Sequence, residues 1–150
     1  RSSWPVSPQR SQVAPPTSVA DLADTRFTRI ALAQPEHAPY GRAAREALRA
    51  AGVWDTVAGR LVYGENVRQA LQFAASGNAD VAIVARSLVE RSGGRWLEIP
   101  ASAHAPLDQT IVACRGGRNG EGGARWARFV TSEPALAILA RHGFDPPARP

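Results

Sequence analysis

Apolar positions along this chain recur in two rhythms, and the alternation between them predicts a series of strands and helices. Residues 26–33 alternate and then become continuously apolar through Ile30, Ala31, Leu32 and Ala33, as a buried strand does. After breaks at Pro35 and Pro39, Ala43, Ala44, Ala47, Leu48 and Ala51 share one helical face opposite Arg42, Arg45, Glu46 and Arg49, and Gly52 ends the stripe. A short turn at 53–57 precedes a strand at 60–63. Gly64-Glu65-Asn66 then leads into a second helix with Val67, Ala70, Leu71 and Ala74 on its inner face, closed by Gly77 and Asn78. Residues 80–85 form a continuous apolar strand, 95–100 another that ends at Pro100, and 108–114 one more. Two helices close the series at 124–131 and 132–142, the second opened by Ser132 before Pro134 and stopped by Gly143. Upstream, Ser18 with Asp21 three residues later predicts a short capped helical turn at 18–24.

Regular alternation of strand and helix defines the α/β class with a mainly parallel sheet, because parallel neighbours need crossover connections of fixed hand. Residues 1–17, rich in Pro and Ser, read as a flexible leader, 115–123 as a glycine-rich connection and 145–150 as a tail. The 150 residues suit one domain or slightly more. No apolar run approaches the roughly 18 residues of a membrane span. The chain contains neither Met nor Lys and begins with Arg1, so it reads as a processed, truncated or excised piece. Its 18 cationic side chains, all Arg, outnumber 13 acidic ones and give a net charge of +5. These arginines are dispersed rather than blocked together, which describes a solvated surface and not a nucleic-acid patch. Cys114, inside the apolar run that begins at Ile111, reads as a small buried hydrophobe, and one cysteine forms no internal disulfide.

Candidate chemistry sits at two strand-to-helix joints, 32–41 and 61–68, since open α/β sheets bind ligands beyond the carboxyl ends of their strands. Each joint exposes helix N-terminal N–H groups and the positive end of a dipole worth about half a charge. Two such ends converging make a neutral cradle for an oxyanion. Every α/β domain has joints of this kind, so spacing alone assigns nothing. The wording of the segments adds more. Pro35-Glu36-His37-Ala38-Pro39-Tyr40-Gly41-Arg42-Ala43-Ala44 and Gly64-Glu65-Asn66-Val67-Arg68-Gln69-Ala70-Leu71 resemble the periplasmic molybdate-binding proteins of ABC transporters. Gly77-Asn78-Ala79-Asp80, Trp54-Asp55 and Arg141-His142-Gly143-Phe144 support the resemblance, which covers about 19–144.

The resemblance implies a three-layer lobe of a type II periplasmic binding protein, one of two that close over a tetrahedral dianion, here with the first lobe missing. It implies a periplasmic, monomeric, non-enzymatic protein without a cofactor, binding molybdate or tungstate and handing it to an ABC permease in the membrane. Backbone N–H groups of Tyr40 and Val67 would hold the oxyanion, with no direct protein-to-metal ligand. Some members add a tyrosine hydroxyl, which Tyr40 carries over; others use a tyrosine where this chain has Ala85. On this reading 18–107 is the anion-binding lobe. Residues 108–144 are a return strand and closing helices that would pack on the missing lobe. Without that lobe Trp126, Phe129, Leu136 and Leu139 are left partly exposed, and the half cradle binds poorly.

Other residues read plainly. His37, His104 and His142 are isolated and make no zinc set, and Arg68 is an exposed helix-face arginine. Ser87 and Ser92 lack a nucleophile elbow, and the glycine run at 116–123 lacks the Lys-Ser/Thr of a phosphate loop. Two alternatives remain open at this point: an effector-sensing domain of a transcription regulator, which shares the lobe architecture, and an inactive gene fragment. An enzyme in the same crevice would need a nucleophile–base set that the sequence does not offer.

Overall fold

The computed structural model describes residues 2–3, 14–89, 92–114 and 116–146. The chain divides into two units, Arg1–Leu107 and Asp108–Pro150. In the first, β1 (Ser2–Ser3), β2 (Ile30–Ala33), β3 (Leu61–Gly64) and β4 (Val81–Ala85) form one sheet in the order β1-β4-β2-β3. β2 runs parallel to both β3 and β4, with Ala33 opposite Gly64 and Ile30 opposite Val81. β1 is an antiparallel edge, Ser2 facing Ala85, inside the segment read as a flexible leader. Residues 1 and 4–13 of that reading lie outside the described residues, as do 147–150 of the tail, while Thr17 N at its end donates to Asp21 Oδ2 at 2.7 Å.

Helices α1 (Pro39–Ala50), α2 (Trp54–Val57), α3 (Val67–Ala75) and α4 (Arg86–Val89) connect and flank the strands. From β2 the chain crosses through α1 to β3, then returns through α3 past β2 to β4. Right-handed crossovers in opposite directions put α1 and α3 on opposite faces. The pleat sorts the side chains accordingly. Ile30, Leu32, Val81 and Ile83 pack with Ala44, Ala47 and Leu48 of α1, together with Leu22, Phe27 and Ile99. On the other face Ala31, Ala82 and Val84 meet Ala70 and Ala74 of α3, and these small residues bring helix and sheet close. Each fully buried Leu, Ile or Phe contributes about 1.5–3 kcal/mol, so the α1 face carries most of the apolar stabilisation.

Polar groups pin the margins. The Arg60 guanidinium donates to the carbonyls of Phe27 at 2.6 Å, Asp24 at 2.7 Å and Ala23 at 3.1 Å, tying the turn before β2 to the start of β3. Asp80 Oδ2 accepts from Thr28 N at 2.7 Å, Thr28 Oγ1 at 2.8 Å and Arg29 N at 2.9 Å, joining the amino ends of β2 and β4. The turn expected at 18–24 is a 3₁₀ segment, Ala20–Ala23. Ser18 Oγ accepts from Asp21 N while the Asp21 carboxylate accepts from Ser18 N, the reciprocal pattern of a capping box.

Three expectations for residues 95–114 are corrected. Residues 95–100 make only isolated bridges at Arg95 and Glu98 instead of a strand. Residues 108–114 form no ladder among the described residues, because an apolar run becomes a strand only where a neighbouring edge offers its backbone groups. Cys114 is consequently exposed rather than buried.

Within the second unit, α5 (Gly120–Val130) and α6 (Glu133–Arg141) are its helices among the described residues. α5 starts four residues before the helix read at 124–131, inside the glycine-rich connection. Asn119 explains the early start: its Oδ1 accepts from Gly122 N at 2.8 Å as an N-cap. A side chain at 122 would collide with that cap, since a Cβ there would lie 2.7 Å from Asn119 Oδ1. Trp126 and Phe129, with ring centroids 5.6 Å apart, are 58% and 44% exposed, while Leu136 and Leu139 are half-buried. Among the described residues no helix is long and apolar enough to cross a membrane.

Candidate functional site

The two joints leave the sheet side by side. Gln34 N donates to Gly64 O at 2.8 Å, extending the β2–β3 pairing one residue past the strand and holding both exits at one edge. The chain then turns through Ala38 N to Gln34 O at 2.9 Å and enters α1 at Pro39. Gly41 lets α1 start against the strand: a Cβ there would lie 2.8 Å from the Gln34 carbonyl and closer still to Ala33 O. Gly64 does the same for α3, where a Cβ would lie 2.9 Å from Ala70 N.

Accounting for the N–H groups shows what each helix start offers. In α1, Pro39 occupies the first turn and has no N–H, and Arg42 N donates to Ala38 O at 3.1 Å. Tyr40 and Gly41 N–H are left without an acceptor among the described residues. In α3, Asn66 Oδ1 accepts from Arg68 N at 3.1 Å and Gln69 N at 3.0 Å, and Asn66 O accepts from Ala70 N at 3.2 Å. Val67 N–H remains without an acceptor among the described residues. The structure thus places both expected residues, Tyr40 and Val67, at adjacent helix starts on one sheet edge. It adds Gly41 N–H and the Asn66 cap, which sequence reasoning missed. Asn66 was legible as an N-cap, directly before the apolar stripe with Gln69 three residues on.

Tyr40 is half-buried, its hydroxyl has no partner among the described residues, and burial raises its pKa, so it is a neutral O–H donor at neutral pH. Tyr63, 44% exposed at the end of β3, is also pushed up, by burial first and then by the Glu36 carboxylate, against the pull of Arg45. Glu36 Oε1 and Arg45 Nη1 are 3.4 Å apart. Ala85 ends β4 buried and contributes no polar side-chain atom. His37 is exposed; His104 Nδ1 lies 2.8 Å from Ala105 O, away from the joints in sequence. Among the described residues no group of three or more His, Cys, Asp or Glu could hold a metal ion. An open hollow of about 360 Å3 lies in the second unit, lined by Asn119, Glu121 and Arg125 among others, and shares no residue with the joints.

Neutral N–H donors from two helix starts thus lie together at the carboxyl edge of a parallel sheet, the edge at which open α/β sheets bind ligands. Residues 6–145 match the family model of the bacterial extracellular solute-binding proteins, and the chain belongs to that family. The family is one of solute-binding proteins rather than enzymes. Among its relatives, the molybdate-binding protein ModA of Rhodobacter capsulatus is 34% identical over 136 residues, 87% of this chain and 54% of that protein. ModA of Escherichia coli is 31% identical over 118 residues, 77% of this chain and 46% of that protein. The chain spans about half the length of these curated relatives. The fold is similar to that of the Azotobacter vinelandii periplasmic molybdate-binding protein, with a TM-score of 0.82 at 24% identity, covering 98% of this chain and 65% of that one.

Proposed function

We propose that this chain binds a tetrahedral oxyanion, molybdate or tungstate, in the periplasm for delivery to the permease of an ABC importer. The observation that carries this reading is the set of N–H groups on Tyr40, Gly41 and Val67, unpartnered among the described residues, at neighbouring helix starts. The relatives named as molybdate-binding proteins supply the ligand class. Each helix start stabilises an anion by about 0.3–1 kcal/mol when exposed and about 2 kcal/mol when partly buried. The Tyr40 hydroxyl adds a directed donor. A dianion with four oxygens accepts more hydrogen bonds than these groups donate, so they supply only part of a cradle. Taken alone, the 150-residue chain binds weakly.

Calorimetric titration of the chain with molybdate tests this, with tungstate as competitor. Val67→Pro is the informative variant. Val67 is the first residue of α3, where proline is tolerated, and Asn66 already has the extended backbone, φ −148° and ψ 171°, that a following proline requires. The substitution therefore removes the N–H and keeps the helix. Saturable uptake in the millimolar range that tungstate displaces and Val67→Pro abolishes is the expected result. Uptake unchanged in a folded Val67→Pro variant, or no uptake by the unsubstituted chain, would overturn the proposal.

A further inference from the structure

The donors of the candidate site carry no formal charge, so neighbouring charged side chains decide how a dianion experiences this edge. Glu36 lies in the turn between β2 and α1, four residues before Tyr40, a stretch of chain that reaches at most about 14 Å. Arg45, in the second turn of α1, brings its guanidinium back to that carboxylate at 3.4 Å. The guanidinium is the more buried partner, and the carboxylate faces solvent. Leu61 packs into the α1-side core, so Tyr63, two residues on in the same strand, projects to that face as well. Burial first and then the Glu36 carboxylate push its phenol up, and Arg45 pulls it down, in keeping with a strand face shared with the ion pair.

We propose that Glu36 and Arg45 tune the affinity and salt response of the anion site, Arg45 cancelling the repulsion that Glu36 alone would exert on a dianion. This inference rests on the oxyanion function proposed above. Within the pair the two charges offset each other, while Arg42, Glu65 and Arg68, exposed beside the same helix starts, stay constant across the comparison. A bare carboxylate in the same turn would oppose binding. A bare guanidinium would strengthen it and favour multivalent anions of any shape.

A mere brace between turn and helix makes a different prediction, because either single substitution then loosens the Tyr40 and Gly41 donors. Titrations with molybdate at low and at high sodium chloride separate the two, using Arg45→Gln, Glu36→Gln and the double variant, each checked for folding by thermal unfolding. At low salt Arg45→Gln weakens binding about threefold, Glu36→Gln tightens it by a similar factor, and the double variant returns near the unsubstituted value. High salt brings all four together. If both single substitutions weaken binding alike at both salt concentrations, or none changes it, the charge role is wrong while the oxyanion function stands. If the unsubstituted chain takes up no molybdate, the function and this inference fall together.

Discussion

Replacing Asn66 by Ala removes the acceptor shared by the Arg68 and Gln69 N–H groups, and loss of such an N-cap costs about 0.5–2 kcal/mol. Denaturant unfolding of Asn66→Ala checks this, and a variant as stable as the parent would show that the cap contributes nothing. Asp21 gives a pH signature at the same scale. Hydrogen bonds from the Thr17 N–H and hydroxyl, then from Ser18, hold its carboxyl down from the ordinary 3.8 to about 2. Because the folded value is the lower one, the stabilisation is present above about pH 4 and is lost as pH falls toward 2. Melting temperatures across that window should fall less steeply for Asp21→Asn than for the parent; parallel curves would contradict the assignment.

At the scale of elements, the close approach of α1 to the end of β2 depends on the missing side chain at Gly41. Gly41→Ala drives a methyl into the Ala33 and Gln34 backbone and costs about 1–3 kcal/mol, measurable by thermal unfolding. An unchanged melting temperature would mean that α1 shifts freely. β2, β4, α1 and α3 were legible in the sequence because their apolar periods decide both the element and the face it buries. Ile30 and Leu32 against Ala31 show this within a single strand. The run at 108–114 resembles a strand through its apolar stretch at 111–114, while pairing depends on a partner the sequence does not name. The start of α5 was hidden for the opposite reason. Gly120, Gly122 and Gly123 disfavour helix by about 1 kcal/mol each relative to Ala, so the segment resembled a loop until the Asn119 cap was seen.

For the whole molecule, residues that share no local motif come to one edge because β2 and β3 are parallel neighbours. Tyr40 and Val67 were legible as candidates through their segments. Gly41 N–H emerged only from a full account of backbone donors, since nothing in a glycine's identity says that its N–H lacks an acceptor. The central claim is that the Tyr40, Gly41 and Val67 N–H groups face an oxyanion. Titrating the ¹⁵N-labelled chain with molybdate and following its backbone amide resonances tests that claim most directly. The account predicts that the amide protons of Tyr40, Gly41 and Val67 move downfield together along one saturating curve, while those of Arg68 and Gln69, already bonded to Asn66, move much less. Shifts confined to the arginine side chains of α5, or no shift at these three amides at saturation, would contradict it.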